Sequence, residues 1–254
     1  MKYLLEVNQL AVYAKQKVLL HNVSFKAAEG RITALVGGSG SGKTTIANAI
    51  LRLLPPSLEI TQGQILFEHK NILLFDNQLM RSLRGNQMAM VFQEPLGAFD
   101  PLMTIGQQMD EVLVAHTSKP KDQRRLQILD TLAKVELPSP RDVYNRYPHQ
   151  LSGGQRQRAM IAQALVAGPK LIIADEPTSN LDVIVQAKIM DLFRQFKKEG
   201  MTMILISHDL GMVSHLADDL VILEKGQIVE SGPVEVLMKH PQHKYTQALM
   251  EAFV

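Results

Sequence analysis

From position 37 the chain reads Gly37-Gly38-Ser39-Gly40-Ser41-Gly42-Lys43-Thr44-Thr45. These residue types at this spacing suit the capture of a polyphosphate. Glycines let the backbone curl so that several N–H groups converge on one anion. Lys43 brings a point charge to the β- and γ-phosphates, and the Thr44 hydroxyl is a ligand for Mg²⁺. The expected ligand is a nucleoside triphosphate with its metal ion. A phosphate loop does not by itself say what hydrolysis would drive.

Other reactive side chains stand further along. Asp175-Glu176 is an acidic pair: the first carboxylate suits Mg²⁺, and the second suits accepting a proton from an attacking water. Leu151-Ser152-Gly153-Gly154-Gln155 is a second glycine-rich turn, with Ser152 placed to cap the helix that follows. Gln93 and His208 each follow an apolar run. Taken singly, each has an ordinary reading as a loop acid, a capped helix start, a loop glutamine or a structural histidine.

The elements needed to position these groups can be read from pattern. Ile32–Val36 is an apolar run suited to a buried strand, and Ile46–Leu51 is helix-favouring. Strand, G-x-x-x-x-G-K-[ST] and helix together make the phosphate loop in its required context. Leu171–Ala174 predicts a strand ending at Asp175, Met88–Phe92 one ending at Gln93, and Met201–Ile206 one ending at Ser207-His208. Leu4–Val7, Leu10–Tyr13, Val18–Phe25 and Gly63–Phe67 read as further strands. Ile105–Ala115, Arg124–Val135, Arg156–Val166 and Val183–Lys197 read as helices, with Pro138 and Pro140 between segments. Asp219–Ile222 and Gln227–Glu230, flanking Lys225-Gly226, read as a hairpin, and residues 233–254 read as a helical tail.

The chain has 254 residues, 46% hydrophobic and 20% charged, which fits one large domain with subdomains and an ample core. Net charge is +2, from 27 basic and 25 acidic residues, so no electrostatic footprint for nucleic acid stands out. There is no cysteine, which excludes disulfides, Fe–S clusters and thiol catalysis. No signal-type apolar core opens the chain, and no run approaches a membrane span. Any membrane role is expected to come through a partner.

In this order the phosphate loop, Phe92-Gln93, LSGGQ at 151–155, LIIADEP at 171–177, SNLD at 179–182 and Ile206-Ser207-His208 resemble the ATPase domain of ABC transporters across essentially the whole chain. The resemblance implies an α/β P-loop fold: a RecA-like core, an antiparallel β-subdomain and a helical subdomain at about 95–158, in one ATP-binding domain of residues 1–254. It implies ATP and Mg²⁺ as cofactors and hydrolysis to ADP and phosphate. Two such domains would pack head to tail, so that Ser152, Gly153, Gly154 and Gln155 serve the ATP held by the partner's phosphate loop. Gln93 would sense Mg²⁺ and the attacking water. Glu176 would be the general base, His208 would contact the γ-phosphate, and Asp182 would cross the dimer interface. Tyr13 is the candidate for stacking on adenine.

FQEPLGAFDP (92–101), RYPHQLSGGQRQR (146–158), EPTSNLDV (176–183) and HPQHKYTQAL (240–249) are similar to the dipeptide, oligopeptide and nickel importers. That branch implies two membrane permeases, a second ATPase subunit of the same or a related chain, and an extracytoplasmic solute-binding protein. The expected place is the cytoplasmic face of the inner membrane, bound peripherally. Peptide members usually carry a cysteine-bearing C-terminal extension, and its absence here favours nickel or a metal chelate, with peptide import as the alternative. A non-transport ABC ATPase is the rival from another class; its members usually have two cassettes or a long coiled coil. His240 and His243 are too few for a structural metal site.

Overall fold

A computed structural model of the chain describes residues 2–15, 17–179 and 181–251. In chain order the strands are β1 (Tyr3–Ala14), β2 (Lys17–Ala28), β3 (Ile32–Val36), β4 (Leu58–Phe67), β5 (Lys70–Asn71), β6 (Met88–Val91), β7 (Leu171–Asp175), β8 (Thr202–Ile206), β9 (Asp219–Glu224) and β10 (Gln227–Pro233). The helices are α1 (Lys43–Ile50), α2 (Asn77–Leu83), α3 (Pro95–Ala98), α4 (Ile105–His116), α5 (Lys121–Lys134), α6 (Pro140–Asn145), α7 (Gly153–Leu165), α8 (Val183–Lys198), α9 (Leu210–Leu216), α10 (Val234–Lys239) and α11 (Lys244–Glu251). The chain divides into two compact units, Met1–Met80 with Phe193–Val254, and Arg81–Leu192.

In the first unit β3 runs parallel to β8 on one side and to β9 on the other, and β10 pairs antiparallel with β9. Every residue of β3 and β8 is buried. A parallel strand covered on both faces needs an unbroken apolar run, which ITALV and TMILI provide with Thr33 and Thr202 as the polar exceptions. The second sheet of this unit is antiparallel, in the order β2-β1-β4-β5.

β1 corrects the reading of two short strands. It is one strand with a bulge at Gln9, whose φ is +50° and whose N–H donates to the Ser24 hydroxyl at 2.8 Å. The register shifts between Val7 and Leu10 against β2, and between Asn8 and Ala11 against β4. An inserted residue moves later side chains to the opposite face, so the apolar alternation changes phase and looks like a break. Gly63 on β4 makes the bulge possible, because a Cβ there would lie 2.7 Å from the Asn8 and Gln9 carbonyl oxygens.

In the second unit β6 pairs parallel with β7, with Met88 opposite Leu171 and Val91 opposite Ala174. Helices α3 to α7 lie between these two strands in the chain. Thr104 caps α4 in a reciprocal box with Gln107. α6 begins where the prolines suggested only a connection; Pro140 stands in its first turn, where a missing N–H costs nothing. The described part of the tail holds two helices; α10 ends at Lys239, and His240 leaves the helical conformation because Pro241 disfavours a helical residue before it. No helix among the described residues is long and apolar enough to cross a membrane.

Candidate functional site

The phosphate loop starts where β3 ends. A Cβ on Gly37 would lie 2.2 Å from the Leu223 carbonyl oxygen on β9, so only glycine fits this approach of loop to strand. Gly42 has a φ of +106°, and a Cβ there would also press on Leu20 at 2.5 Å. The Ser41 N–H donates to the Gly38 carbonyl at 3.2 Å, and the Gly226 N–H to the Ser41 carbonyl at 3.0 Å. These bonds close the loop and tie it to the β9–β10 turn.

Lys43 is the first residue of α1, and its ammonium donates to the Gly37 carbonyl at 2.7 Å and the Gly38 carbonyl at 3.0 Å. No side chain caps α1 and no acid stands in its first turn. The first N–H groups and the positive end of the helix dipole are therefore left for an anion. Leu19 and residues 40–45 line a cavity of ≈ 260 Å³ here. The buried Ser41 hydroxyl has no hydrogen-bond partner among the described residues. A glycine cradle, a lysine, an uncapped helix start and an unused hydroxyl are the donor set a triphosphate requires.

In the same unit His208 is exposed just beyond β8, and Asp209 behind it caps α9 by accepting from the Met212 N–H at 3.0 Å. Tyr13 is half-buried opposite Val18 near the reversal from β1 to β2. Leu19, not Tyr13, lines the loop cavity. The bulge at Gln9 and a second shift at Val12/Tyr13 set which way each strand residue faces, and neither is readable from composition.

The remaining candidates lie in the second unit. Asp175 closes β7 and is 3% exposed; Glu176 follows with a φ of +46°, a left-handed conformation rare outside glycine. Gln93 is exposed two residues past β6. Ser152 caps α7: its hydroxyl accepts from the Gln155 N–H at 3.3 Å, and the Gln155 side chain accepts from the Ser152 N–H at 3.1 Å. Gly154 has no room for a side chain, since a Cβ would meet Val185 at 2.8 Å. Asp182 caps the start of α8 by accepting from the Val185 N–H at 3.0 Å. Asn180, the second residue of the SNLD motif, lies outside the described residues. Phe99 is 5% exposed and belongs to the core.

One contact had no forewarning at the loop itself. The Gly38 N–H donates to the Tyr245 phenol oxygen at 2.8 Å, bringing α11 against the phosphate loop. The signal was the HPQHKYTQAL segment, which marked a branch of a family and carried no assigned task.

A phosphate loop between a buried parallel strand and an uncapped helix, with an acidic pair closing another parallel strand, defines a P-loop nucleotide hydrolase. The ABC transporter family profile matches residues 20–179, and the chain belongs to that family, as one of its ATPase cassettes. It is 46% identical over 98% of its length to a peptidoglycan transport ATP-binding protein, YejF, of Agrobacterium fabrum, and covers 47% of that protein. It is 42% identical to the oligopeptide transport ATP-binding protein OppD of Lactococcus lactis subsp. cremoris, over 98% of this chain and 75% of that one. The dipeptide transport ATP-binding protein DppD of Bacillus subtilis is 41% identical over 91% of this chain and 70% of its own length. Among solved structures, the dimeric bacterial ABC transporter cassette MJ0796 superposes with a TM-score of 0.80 at 28% identity, covering 91% of this chain and 98% of that one. A post-hydrolysis dimer of the same cassette bound to ADP and Pi also gives 0.80, at 27% identity. These relatives are named for peptide or peptidoglycan transport and not for nickel, so the expectation of nickel or a metal chelate is not supported and the peptide alternative fits better.

Proposed function

We propose that this chain hydrolyses Mg-ATP to energise the import of di- or oligopeptides, bound to the cytoplasmic face of the inner membrane through two permease subunits. A second cassette, the same chain or a related one, would complete the ATPase, and an extracytoplasmic binding protein would deliver the peptide. The observation that carries this reading is the complete phosphate loop in a chain 42% identical to an oligopeptide transport ATP-binding protein.

Each residue has a task under this reading. The loop N–H groups from Gly40 to Thr45, with Lys43, hold the phosphates and stabilise charge that develops on them in the transition state. The Thr44 hydroxyl, Gln93 and Asp175 would hold Mg²⁺, which draws charge from the phosphate oxygens when bound; hard oxygen donors suit that ion. Glu176 takes a proton from the attacking water, and His208 orients the γ-phosphate. Ser152, Gly153, Gly154 and Gln155 act on the nucleotide of the partner cassette. Tyr13 is retained as the adenine-stacking candidate.

The test is ATP hydrolysis by the chain assembled with its permeases and binding protein in proteoliposomes. Hydrolysis and uptake should rise when the binding protein carries a labelled di- or oligopeptide. Stimulation by Ni²⁺ with no response to peptide would overturn the cargo; no hydrolysis under any condition would overturn the activity.

A further inference from the structure

We propose that Tyr245 is a positioning residue for the phosphate loop, an inference that rests on the reading of that loop as the ATP site. Its phenol holds the Gly37–Gly38 peptide in the orientation that presents the loop to nucleotide.

The Gly37–Gly38 peptide plane is held at both ends. The carbonyl of Gly37 accepts from the Lys43 ammonium at 2.7 Å, and the N–H of Gly38, the other end of that peptide, donates to Tyr245 Oη at 2.8 Å. A peptide unit is rigid and planar, so two anchors at opposite ends fix its rotation. The anchors are needed because both flanking residues are glycines, the residues with most backbone freedom. The two bonds reinforce each other: a cation on the carbonyl polarises the peptide and strengthens the N–H as a donor. The same ammonium also holds the Gly38 carbonyl, which accepts from the Ser41 N–H as well. A rotated Gly37–Gly38 peptide would therefore disturb Lys43 and the turn through Ser41 together.

The polar residues of the segment leading to Tyr245 build the turn that delivers it. Glu230 on β10 accepts from the N–H groups of Gln242 at 2.9 Å and His243 at 3.1 Å. His243 Nδ1 accepts from the Tyr245 N–H at 3.2 Å. The Gln247 side chain donates to the Pro241 carbonyl at 3.0 Å, and the Gln242 side chain to the His240 carbonyl at 3.1 Å. Both histidines of this segment thus have structural places: His240 is the cap that follows α10, and His243 receives the backbone N–H of Tyr245. Glu230 fixes the turn, the turn starts α11, and the first turn of α11 puts the phenol on the loop.

A side chain that only fills space would serve as well without its hydroxyl. Tyr245→Phe keeps the ring and removes the bond, leaving the Gly38 N–H to water and the peptide free to turn. The loop then pays an ordering cost when ATP binds, while the groups acting in the transition state are unchanged. The test is the ATP dependence of hydrolysis by the purified full chain, with equilibrium titration of a fluorescent ATP analogue and thermal unfolding without nucleotide. For Tyr245→Phe, KM for ATP and the analogue Kd should rise about three- to tenfold, the worth of one ordinary hydrogen bond. The melting temperature should stay at the wild-type value, and kcat should stay within about twofold. Glu230→Gln should shift KM in the same direction, and the double variant should be no worse than Tyr245→Phe by itself, because both act through one bond. Wild-type affinity in Tyr245→Phe overturns the inference, as does a fall in melting temperature with kcat and KM altered together. Failure of the wild-type chain to bind the analogue would instead overturn the nucleotide reading beneath it.

Discussion

Glu176 is where backbone conformation and chemistry meet. A left-handed φ costs a residue with a Cβ about 1–2 kcal/mol, and here the turn is held because the Glu176 carbonyl accepts from both the N–H and the hydroxyl of Ser179, at 3.1 and 2.9 Å. Strain of this kind persists where surrounding bonds over-determine it and gathers at functional sites. Glu176→Gln should keep ATP binding and lower hydrolysis by ~10²-fold or more, as expected for loss of a general base; phosphate release measured beside analogue binding checks this, and undiminished turnover removes Glu176 from that role. Glu176→Gly should lose hydrolysis to the same extent without lowering the melting temperature, since glycine relieves the left-handed strain. Lys43, Thr44, Asp175 and Glu176 are legible as candidates because each stands in a short contiguous motif beside an apolar run. The strain at Glu176 was not, because it belongs to a turn closed by Ser179. Tyr245 was not legible as a partner of the loop because 207 positions separate it from Gly38, and no local pattern spans that distance.

Strands with buried faces are plain in the sequence, and irregularities within strands are not. β3, β7 and β8 are fully buried and apolar apart from Thr33, Asp175 and Thr202, because both faces are covered. β1 reads as two strands in the sequence because its bulge reverses the alternation, and Gly63, which makes room for the bulge, sits on another strand. The start of α7 was readable, since Ser152 and Gln155 form a capping box within four residues. That cap also bears on function. The Ser152 hydroxyl accepts a bond from its own helix and can still donate, so the residue can stabilise α7 and serve a ligand brought by another cassette. Ser152→Arg should leave analogue binding to the isolated chain at the wild-type level and should block hydrolysis, because the arginine obstructs only the partner's nucleotide. Loss of binding by the monomeric chain would contradict action across the dimer.

Under the proposed function a chain without a spanning helix among its described residues drives transport through a membrane partner. In the segment after Gln93, Phe99 is buried, and the exposed apolar side chains nearby are Leu96 at 58% and Leu102 at 83%. The loop carrying Leu102 is held firmly. The Gln108 side chain accepts from the Asp100 N–H at 2.9 Å and donates to the Asp100 and Met103 carbonyls at 3.0 Å each, and Asp100 accepts from the Leu102 N–H at 2.8 Å. A rigid loop that keeps a leucine in water gains by covering it, and under the proposed function a permease's cytoplasmic loop is the partner to do so. Leu102→Glu should therefore abolish peptide-driven uptake and peptide-stimulated hydrolysis in the assembled transporter, while the isolated chain keeps its wild-type ATP turnover and melting temperature. A cysteine at position 102 should cross-link to cysteines in the permease's cytoplasmic loops. Undiminished uptake with Leu102→Glu, or no cross-link in a transport-competent complex, would remove this loop from the interface.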